Sequence, residues 1–243
     1  MNIREQLIEW ADKYEDTEFI KNDPIQFPHR FTGKQDVEIS ALLTAYLAFG
    51  RRAQIIKKVD ELHAIMGYSP HTYILKGDFS YFRRADKRKF YRFIAYTDIY
   101  ELLSILCDCY TQFNDLETIV ISNKLVPPVE ALQKLFGHVH YFPSPNSTSA
   151  CKRINMFLRW MCRQDSCVDL GIWKSVDPSK LSIPLDTHVH KMSIRLGITK
   201  RKNADKVTSM EIDRYFKGIF PDDPSRGDFS LFGYAVNNPE YFD

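Results

Sequence analysis

The sequence of 243 residues has no apolar stretch that approaches the roughly 18 to 20 residues needed to span a bilayer. Its 10 glycines and 12 prolines follow no period, which excludes a collagen-like or low-complexity chain. Cysteine is sparse and odd in number, at five, and residues 1–18 have no apolar core of the kind found in secretory signals. We therefore expect a cytoplasmic protein with reduced thiols and no membrane partner.

Apolar residues make up 44% of the chain, enough for the core of one large domain or two small ones. Helical periodicity dominates, with a mostly buried helix expected at 36–49. Residues 118–121 form a β-branched run with no clear assignment, and no stretch alternates like a strand. The predicted fold class is all-α. The other predicted helices are an amphipathic one marked by Ile3, Leu7, Ile8 and Trp10, and those at 51–66, 86–110 as one helix or two, 129–138 and 150–163. On the last of these, the predicted core face is Ile154, Phe157, Leu158 and Met161, and the opposite face is Lys152, Met156, Arg159 and Arg163.

The net charge of +2 conceals two basic blocks. Residues 50–95 contain 11 Lys and Arg against 4 Asp and Glu, and residues 151–202 repeat that balance, so each block carries +7. If folding brings the blocks to one face, they match the phosphates of a nucleic acid. Otherwise they are two solvated helix faces.

Residues 185–191 allow two interpretations. As a strand, they would place Asp186, His188 and His190 on one face, like the metal-binding start of an amidohydrolase barrel. No histidine follows His190, and the 53 residues that remain are too few to complete such a barrel. As a helix, the segment has Asp186 as its N-terminal cap and Gly197 at its end. The helical interpretation is favoured.

The segment from Ile183 to Gly197, with Asp-Thr-His-Val at its centre and Arg-Leu-Gly at its end, resembles the helix-hairpin-helix DNA glycosylase superfamily, which includes endonuclease III. In that resemblance Asp186 matches the essential Asp, and Lys152 on the preceding predicted helix has a place similar to the nucleophilic Lys. Their separation of 34 residues is similar to that in archaeal oxidised-guanine DNA glycosylases. We also expect the chain to belong to a bacterial family described only as a domain of unknown function.

The resemblance implies a two-lobed helix-hairpin-helix glycosylase-like fold with a cleft between the lobes. One lobe would be a helical bundle at 35–140 and the other would combine 1–34 with 200–243, while 141–199 would carry the hairpin-like region and Asp186. The substrate pocket would include Phe49, Asp228 and Phe229. The predicted DNA contacts are Arg51, Arg52, Ser147, Thr148, Ser149, Arg153, His188 and Lys191.

The sequence departs from the superfamily pattern at the hairpin, at the pocket loop and in its cysteines. The hairpin usually carries Gly-x-Gly, yet residues 144–149 contain no glycine, so phosphate binding would depend on the helix N-terminus and hydroxyl groups. The residues Phe49-Gly-Arg-Arg52 replace the usual Gln-containing sequence of the pocket loop. The cysteines do not reproduce the iron–sulfur loop of endonuclease III, so neither a metal nor another cofactor is implied.

The expected function is excision of a damaged base, such as an oxidised purine, from double-stranded DNA by a monomer, with an associated lyase step. Lys152 would be the nucleophile and Asp186 its carboxylate partner, while Lys174 and Lys191 are rival nucleophiles. Basic neighbours, Arg153, Arg159 and Arg163, are expected to favour the neutral amine of Lys152. The alternatives are a catalytically inactive nucleic-acid-binding module of the same fold and an interaction protein with an acidic partner.

Overall fold

The structure is a computed structural model that describes residues 2–83 and 88–239. It is mainly helical, which confirms the all-α class. The helices are α1 (Ile3–Tyr14), α2 (Thr17–Asn22), α3 (Lys34–Leu47), α4 (Arg52–Ile65), α5 (Pro70–Lys76), α6 (Tyr96–Gln112), α7 (Leu116–Ile121), α8 (Pro128–Phe136), α9 (Lys152–Cys162), α10 (Thr187–Arg195), α11 (Lys206–Lys217) and α12 (Tyr234–Asn237). Two short strands, β1 (Lys89–Tyr91) and β2 (Ile94–Ala95), pair antiparallel.

The structure also contains shorter helical turns. Turns of 3₁₀ type cover Pro24–Gln26, Pro28–Arg30, Pro178–Lys180 and Pro224–Arg226, and a π-helical turn covers Phe229–Gly233. Within the described residues no helix combines the length and the apolar character needed to cross a membrane.

The chain divides into two compact units. Unit 1 comprises Met1–Asn22 and Asn146–Asp243, and unit 2 comprises Asp23–Pro145. The two basic blocks of the sequence therefore lie in different units, with residues 50–95 in unit 2 and residues 151–202 in unit 1.

Unit 1 is held together by helix α1 and the C-terminal helical segment. The Trp10 ring stacks on Tyr234 with a centroid distance of 3.8 Å, and the Ser230 hydroxyl donates to the Leu7 carbonyl. Burial of this apolar surface is the main favourable contribution to the stability of the unit. The buried residues of its core are Leu7, Ala150, Ile183, Leu185, Val189, Met192, Ile212, Phe216, Leu231 and Ala235.

Unit 2 is built around α3, which is buried from Val37 to Leu47. The prediction of a mostly buried helix at 36–49 is confirmed, with bounds two residues earlier. Glu38 is an acidic residue inside this helix, and its carboxylate accepts hydrogen bonds from the Tyr110 hydroxyl (2.8 Å) and the Leu116 N–H (3.0 Å). These two donors offset the cost of burying a carboxylate.

One predicted helix begins later than expected, and one segment without an assignment is helical. The predicted helix at 86–110 begins only at Tyr96, because residues 89–95 form the β1–β2 hairpin; residues 86 and 87 lie outside the described residues. The unassigned β-branched run at 118–121 belongs to helix α7, because the Asp115 carboxylate caps that helix through the Thr118 N–H (2.7 Å). A local cap thus overrides the β propensity of the run.

Candidate active site

Lys152 is the first residue of α9, and the backbone enters this helix through a rare conformation. Cys151 has a φ of 52°, in the left-handed region that few residues other than glycine adopt. The Ser149 hydroxyl accepts a hydrogen bond from the Cys151 N–H (3.1 Å), and the Cys151 carbonyl accepts from the Asn155 N–H (2.9 Å). These bonds fix the start of α9, where the Lys152 side chain is partly buried.

Both faces of α9 are buried along most of its length. The predicted core face, Ile154, Phe157, Leu158 and Met161, is confirmed. The opposite face carries Arg159 and Arg163, and the sequence suggested that this face points away from the core. The structure corrects this expectation, because both arginine side chains are buried and form ion pairs inside unit 1.

Arg159 links two acidic side chains that are distant in sequence. Its Nε donates to Asp169 (3.3 Å), and its Nη1 donates to the carboxylate of Asp228. The guanidinium also lies over the buried Phe229 ring, 4.6 Å from its centroid. Phe229, a predicted substrate contact, thus packs against an internal arginine.

Arg163, the residue that directly follows α9, makes three more ion pairs. Its guanidinium nitrogens lie 2.5 Å from Asp169, 2.8 Å from Glu15 and 2.7 Å from Asp223. Burial acts to raise the pKa of Glu15, but Arg163 and hydrogen bonds from other side chains lower it below its ordinary value. The carboxylates compensate the arginine charges, so these arginines are not the uncompensated basic neighbours that were expected for Lys152.

Asp186 is the N-terminal cap of α10. Its carboxylate accepts a hydrogen bond from the Val189 N–H (2.8 Å), and Gly197, with a φ of 70°, follows the end of the helix. The helical interpretation is confirmed and the strand interpretation is wrong. On a helix, side chains two residues apart point in nearly opposite directions. His188 therefore does not share a face with Asp186 and His190.

Asp228 is buried and has an unusual titration. Burial raises the pKa of its carboxyl to about 7, although Arg159 acts to lower it. The negative charges of Asp186 and Asp169 raise this pKa further, and the positive charge of Lys152 lowers it. The Asp228 side chain makes no capping hydrogen bond to the π-helical turn that follows it.

The electrostatics of Asp228 relate the two predicted catalytic residues to each other. Lys152 lies on α9, Asp186 at the start of α10 and Asp228 directly before the π-helical turn. The charges of Lys152 and Asp186 both act on the Asp228 carboxyl inside unit 1. The charges of an amine and a carboxyl from two distant segments therefore both bear on the titration of the buried Asp228 carboxyl.

The predicted hairpin residues differ from one another in exposure. Thr148 and Ser149 are exposed, and Ser149 pairs with Asp205 in a short antiparallel bridge. The Ser147 hydroxyl is buried, with no hydrogen-bond partner among the described residues. The backbone after this segment is fixed by the Lys206 N–H, which donates to the Thr148 carbonyl (2.8 Å).

The other predicted DNA contacts are distributed over both units. In unit 1, Lys191 is exposed, Arg153 and His188 are partly buried, and the His188 ring meets Phe232 edge to face. In unit 2, Arg51 is exposed and Arg52 is the first residue of α4.

Sequence reasoning missed the buried ion-pair network because it treated the arginines of α9 as solvated. One signal was available: Arg159 and Arg163 are four residues apart, so both project from the same side of the helix. Their acidic partners lie up to 148 residues away in the chain, and no local pattern identifies them.

No set of three or more histidine, cysteine or acidic side chains in residues 2–83 and 88–239 is arranged to hold a metal ion. No disulfide links the five cysteines, all of which are among the described residues.

Comparison with known proteins gives one match. The family "Protein of unknown function (DUF2400)" matches residues 23–237, which is most of the chain. Searches among curated proteins and solved structures returned no match. The expectation of a family described by a domain of unknown function is confirmed, and the chain belongs to the DUF2400 family.

Proposed function

We propose that this protein is a DNA N-glycosylase that excises a damaged base, such as an oxidised purine, and has an associated lyase activity. The observation that carries the proposal is that the charges of Lys152 and Asp186 both act on the buried carboxyl of Asp228. An amine nucleophile and a carboxylate are the two groups this chemistry requires.

Lys152 supplies the nucleophile in the proposed reaction. Its Nζ lone pair forms a bond to C1′ of the sugar while the bond between C1′ and the base breaks, and the electron pair leaves with the base, which takes up a proton. The nitrogen then loses a proton, and its lone pair forms the C=N bond as the bond between C1′ and O4′ breaks. The electron pair of that bond stays on O4′, which takes up a proton as the ring opens. A protonated imine then links Lys152 to C1′. Removal of a C2′ proton expels the 3′ phosphate and cleaves the strand.

Asp186 acts on the charge that develops during this step. Breaking the glycosidic bond builds positive charge on the sugar, and a partly buried carboxylate beside it stabilises the transition state. The hydrogen bond from the Val189 N–H holds one oxygen of the Asp186 carboxylate and so fixes the orientation of the carboxyl group. The same carboxylate is suited to accept the proton that the amine releases.

Asp228 is the second carboxyl of the proposed site. The Arg159 guanidinium donates a hydrogen bond to it, and burial raises its pKa to about 7. In the proposed complex it accepts a hydrogen bond from a purine edge, the contact that the resemblance implies.

The test is a panel of duplexes, each with one lesion, incubated with the wild-type protein and with Asp186→Asn. Asparagine keeps the helix cap but removes the charge, so excision should fall roughly 100-fold while DNA binding persists. Asp177→Asn is the matched control, because Asp177 also caps a short helix in unit 1 and is exposed.

Two results would overturn the proposal. Excision by Asp186→Asn at the wild-type rate would exclude a role for its charge. Salt-dependent DNA binding without product from any lesion would instead support a nucleic-acid-binding module without the chemistry, an alternative favoured by the hairpin segment at 144–149, which contains no glycine.

A further inference from the structure

Unit 2 carries a cluster of three aromatic rings and one arginine, which we call the aromatic–arginine surface. Phe49 is partly buried, while Phe93, Tyr141 and Arg92 are exposed. The ring centroids of Phe49, Phe93 and Tyr141 lie 5.8–6.4 Å apart, and their planes differ by no more than 31°. Phe93 is 53% exposed and Tyr141 is 37% exposed. Contiguous exposed aromatic rings on a protein surface are typical of interaction sites.

A guanidinium group borders these rings. The Cζ atom of Arg92 lies 5.8 Å from the Phe49 centroid and 5.7 Å from the Phe93 centroid. The Arg92 side chain can lie here because residue 50 is a glycine. A Cβ atom on residue 50 would lie 2.3 Å from Arg92 Nη1. Arg51, next in the chain, is exposed. The surface thus combines ring faces with positive charge.

The backbone at this surface is strained at two positions. Arg92 has a φ of 50° and Tyr141 a φ of 70°, although neither is a glycine. Left-handed backbone at such residues costs on the order of 1 kcal/mol each and is concentrated at functional sites. Both strained residues present side chains to the same cluster. The fold therefore retains an unfavourable conformation where it displays these rings.

We infer that the aromatic–arginine surface binds unpaired bases of single-stranded DNA. Every base offers a π face that stacks on an aromatic ring, and arginine both stacks on bases and pairs with phosphates. The sequence segment 50–95, which contains Arg92 and Phe93, carries a charge of +7, and two of its four acidic residues, Asp60 and Glu61, form ion pairs with basic side chains. The charge favours a polyanion over an apolar protein partner.

The inference goes beyond the proposed function, because it assigns to unit 2 residues a surface for unpaired bases that needs no chemistry at Lys152. It also gives Phe49, expected from the sequence in the substrate pocket, a place in this surface. The His140 ring extends it, with a centroid 4.1 Å from that of Tyr141. Asp98 is an acidic residue near this ring. Its carboxylate oxygen lies 3.2 Å from His140 Nδ1, so the imidazole is a partner for this carboxylate when a polyanion binds.

The experiment measures the affinity of the full chain for a fluorescent 15-nucleotide dT oligonucleotide. The double variant Phe93→Ala with Tyr141→Ala should bind at least tenfold more weakly, since each stacked base contributes about a tenfold effect or more. The matched control is Phe113→Ala with Tyr81→Ala, because these two rings are each 41% exposed in the same unit and lie outside the surface. Circular dichroism melting establishes that both variants fold.

A second oligonucleotide separates stacking from phosphate binding. An abasic strand of the same length should bind the wild-type protein as weakly as dT binds the double variant. Arg92→Gln should reduce the slope of log affinity against log salt by about 0.7, the contribution of one phosphate contact on a single strand. Phe93→Trp should retain wild-type affinity because tryptophan preserves the stacking face.

Three outcomes would overturn the inference. The first is that the two double variants bind dT with equal affinity. The second is that the wild-type protein binds the abasic and dT strands equally well. The third is that it binds an rU strand much more tightly than dT, which would assign the surface to RNA. None depends on lesion excision. If dT binding is lost in the Phe93 and Tyr141 variant while no lesion is excised, only the proposed function fails.

Discussion

Arg159 donates a hydrogen bond to the carboxylate of Asp228, a residue 69 positions further along the chain, in the interior of unit 1. Arg159 also donates to Asp169, so a single guanidinium connects α9 to two buried carboxylates. A buried charge of this kind needs partners, because removing one partner leaves an uncompensated charge that costs several kcal/mol. The network thereby fixes Asp228 beside the segments that carry Lys152 and Asp186.

The titration of Asp228 should respond in opposite directions to two substitutions. Asp186→Asn removes a negative charge that raises the pKa of Asp228, so this pKa should fall from about 7. Lys152→Gln removes a positive charge that lowers it, so the pKa should rise. The carboxyl ¹³C shift of Asp228 against pH measures both. Asp177→Asn is the control, and identical titration in all proteins would refute the influence of both charges on the Asp228 carboxyl.

Asp213 should make unit 1 less stable as the pH rises. Burial raises its pKa from 3.8 to about 6, although it accepts a hydrogen bond from the Ile183 N–H. The folded state therefore keeps the proton up to a higher pH than the unfolded state does. The resulting loss in the free energy of unfolding grows from about pH 4 to pH 6 and reaches its full size above pH 6. It amounts to about 3 kcal/mol at most.

Asp213→Asn should remove this penalty, because the amide oxygen still accepts from Ile183 without carrying a charge. The variant should match the wild-type free energy of unfolding near pH 4 and exceed it above pH 6, as measured by urea denaturation. A constant difference between the two proteins over this range would contradict the prediction.

His63 should make the protein sensitive to acid. It is buried in unit 2, with Nε2 2.8 Å from the Ser40 hydroxyl, and burial lowers its pKa from 6.5 to about 4. The unfolded state therefore takes up a proton before the folded state does, and stability falls as the pH drops from 6.5 to 4, by about 3 kcal/mol at most.

The variant His63→Gln has no such titration. The difference in free energy of unfolding between this variant and wild type should therefore shift in favour of the variant as the pH falls through this range. Denaturant unfolding at a series of pH values and fixed salt measures this difference. His71→Gln is a control in the same unit. A parallel acid dependence in wild type and His63→Gln would mean that His63 does not titrate as described.

Local patterns predicted the features of the fold that depend on local interactions. The cap at Asp186, the termination at Gly197 and the apolar face of α9 follow from side chains within one or two helical turns, and the structure confirms them. The β1–β2 hairpin was missed because its strands are only three and two residues long. Such strands are too short for alternation to be visible.

The long-range features of the candidate site could not be read from the sequence. Amphipathic periodicity places Arg159 and Arg163 opposite the apolar face, and an arginine there is usually solvated. Only tertiary contacts with Glu15, Asp169 and Asp228 make their burial favourable. The rings of Phe49, Phe93 and Tyr141 likewise meet across 92 residues of chain.

Borohydride trapping on lesion-bearing DNA tests the central claim most directly, because it reduces the imine to a stable covalent link that mass spectrometry maps to one lysine. We expect a trapped complex with the wild-type protein, with Lys174→Gln and with Lys191→Gln, and none with Lys152→Gln. A complex that persists at wild-type yield in Lys152→Gln, or that maps to another lysine, would contradict the assignment of Lys152 as the nucleophile.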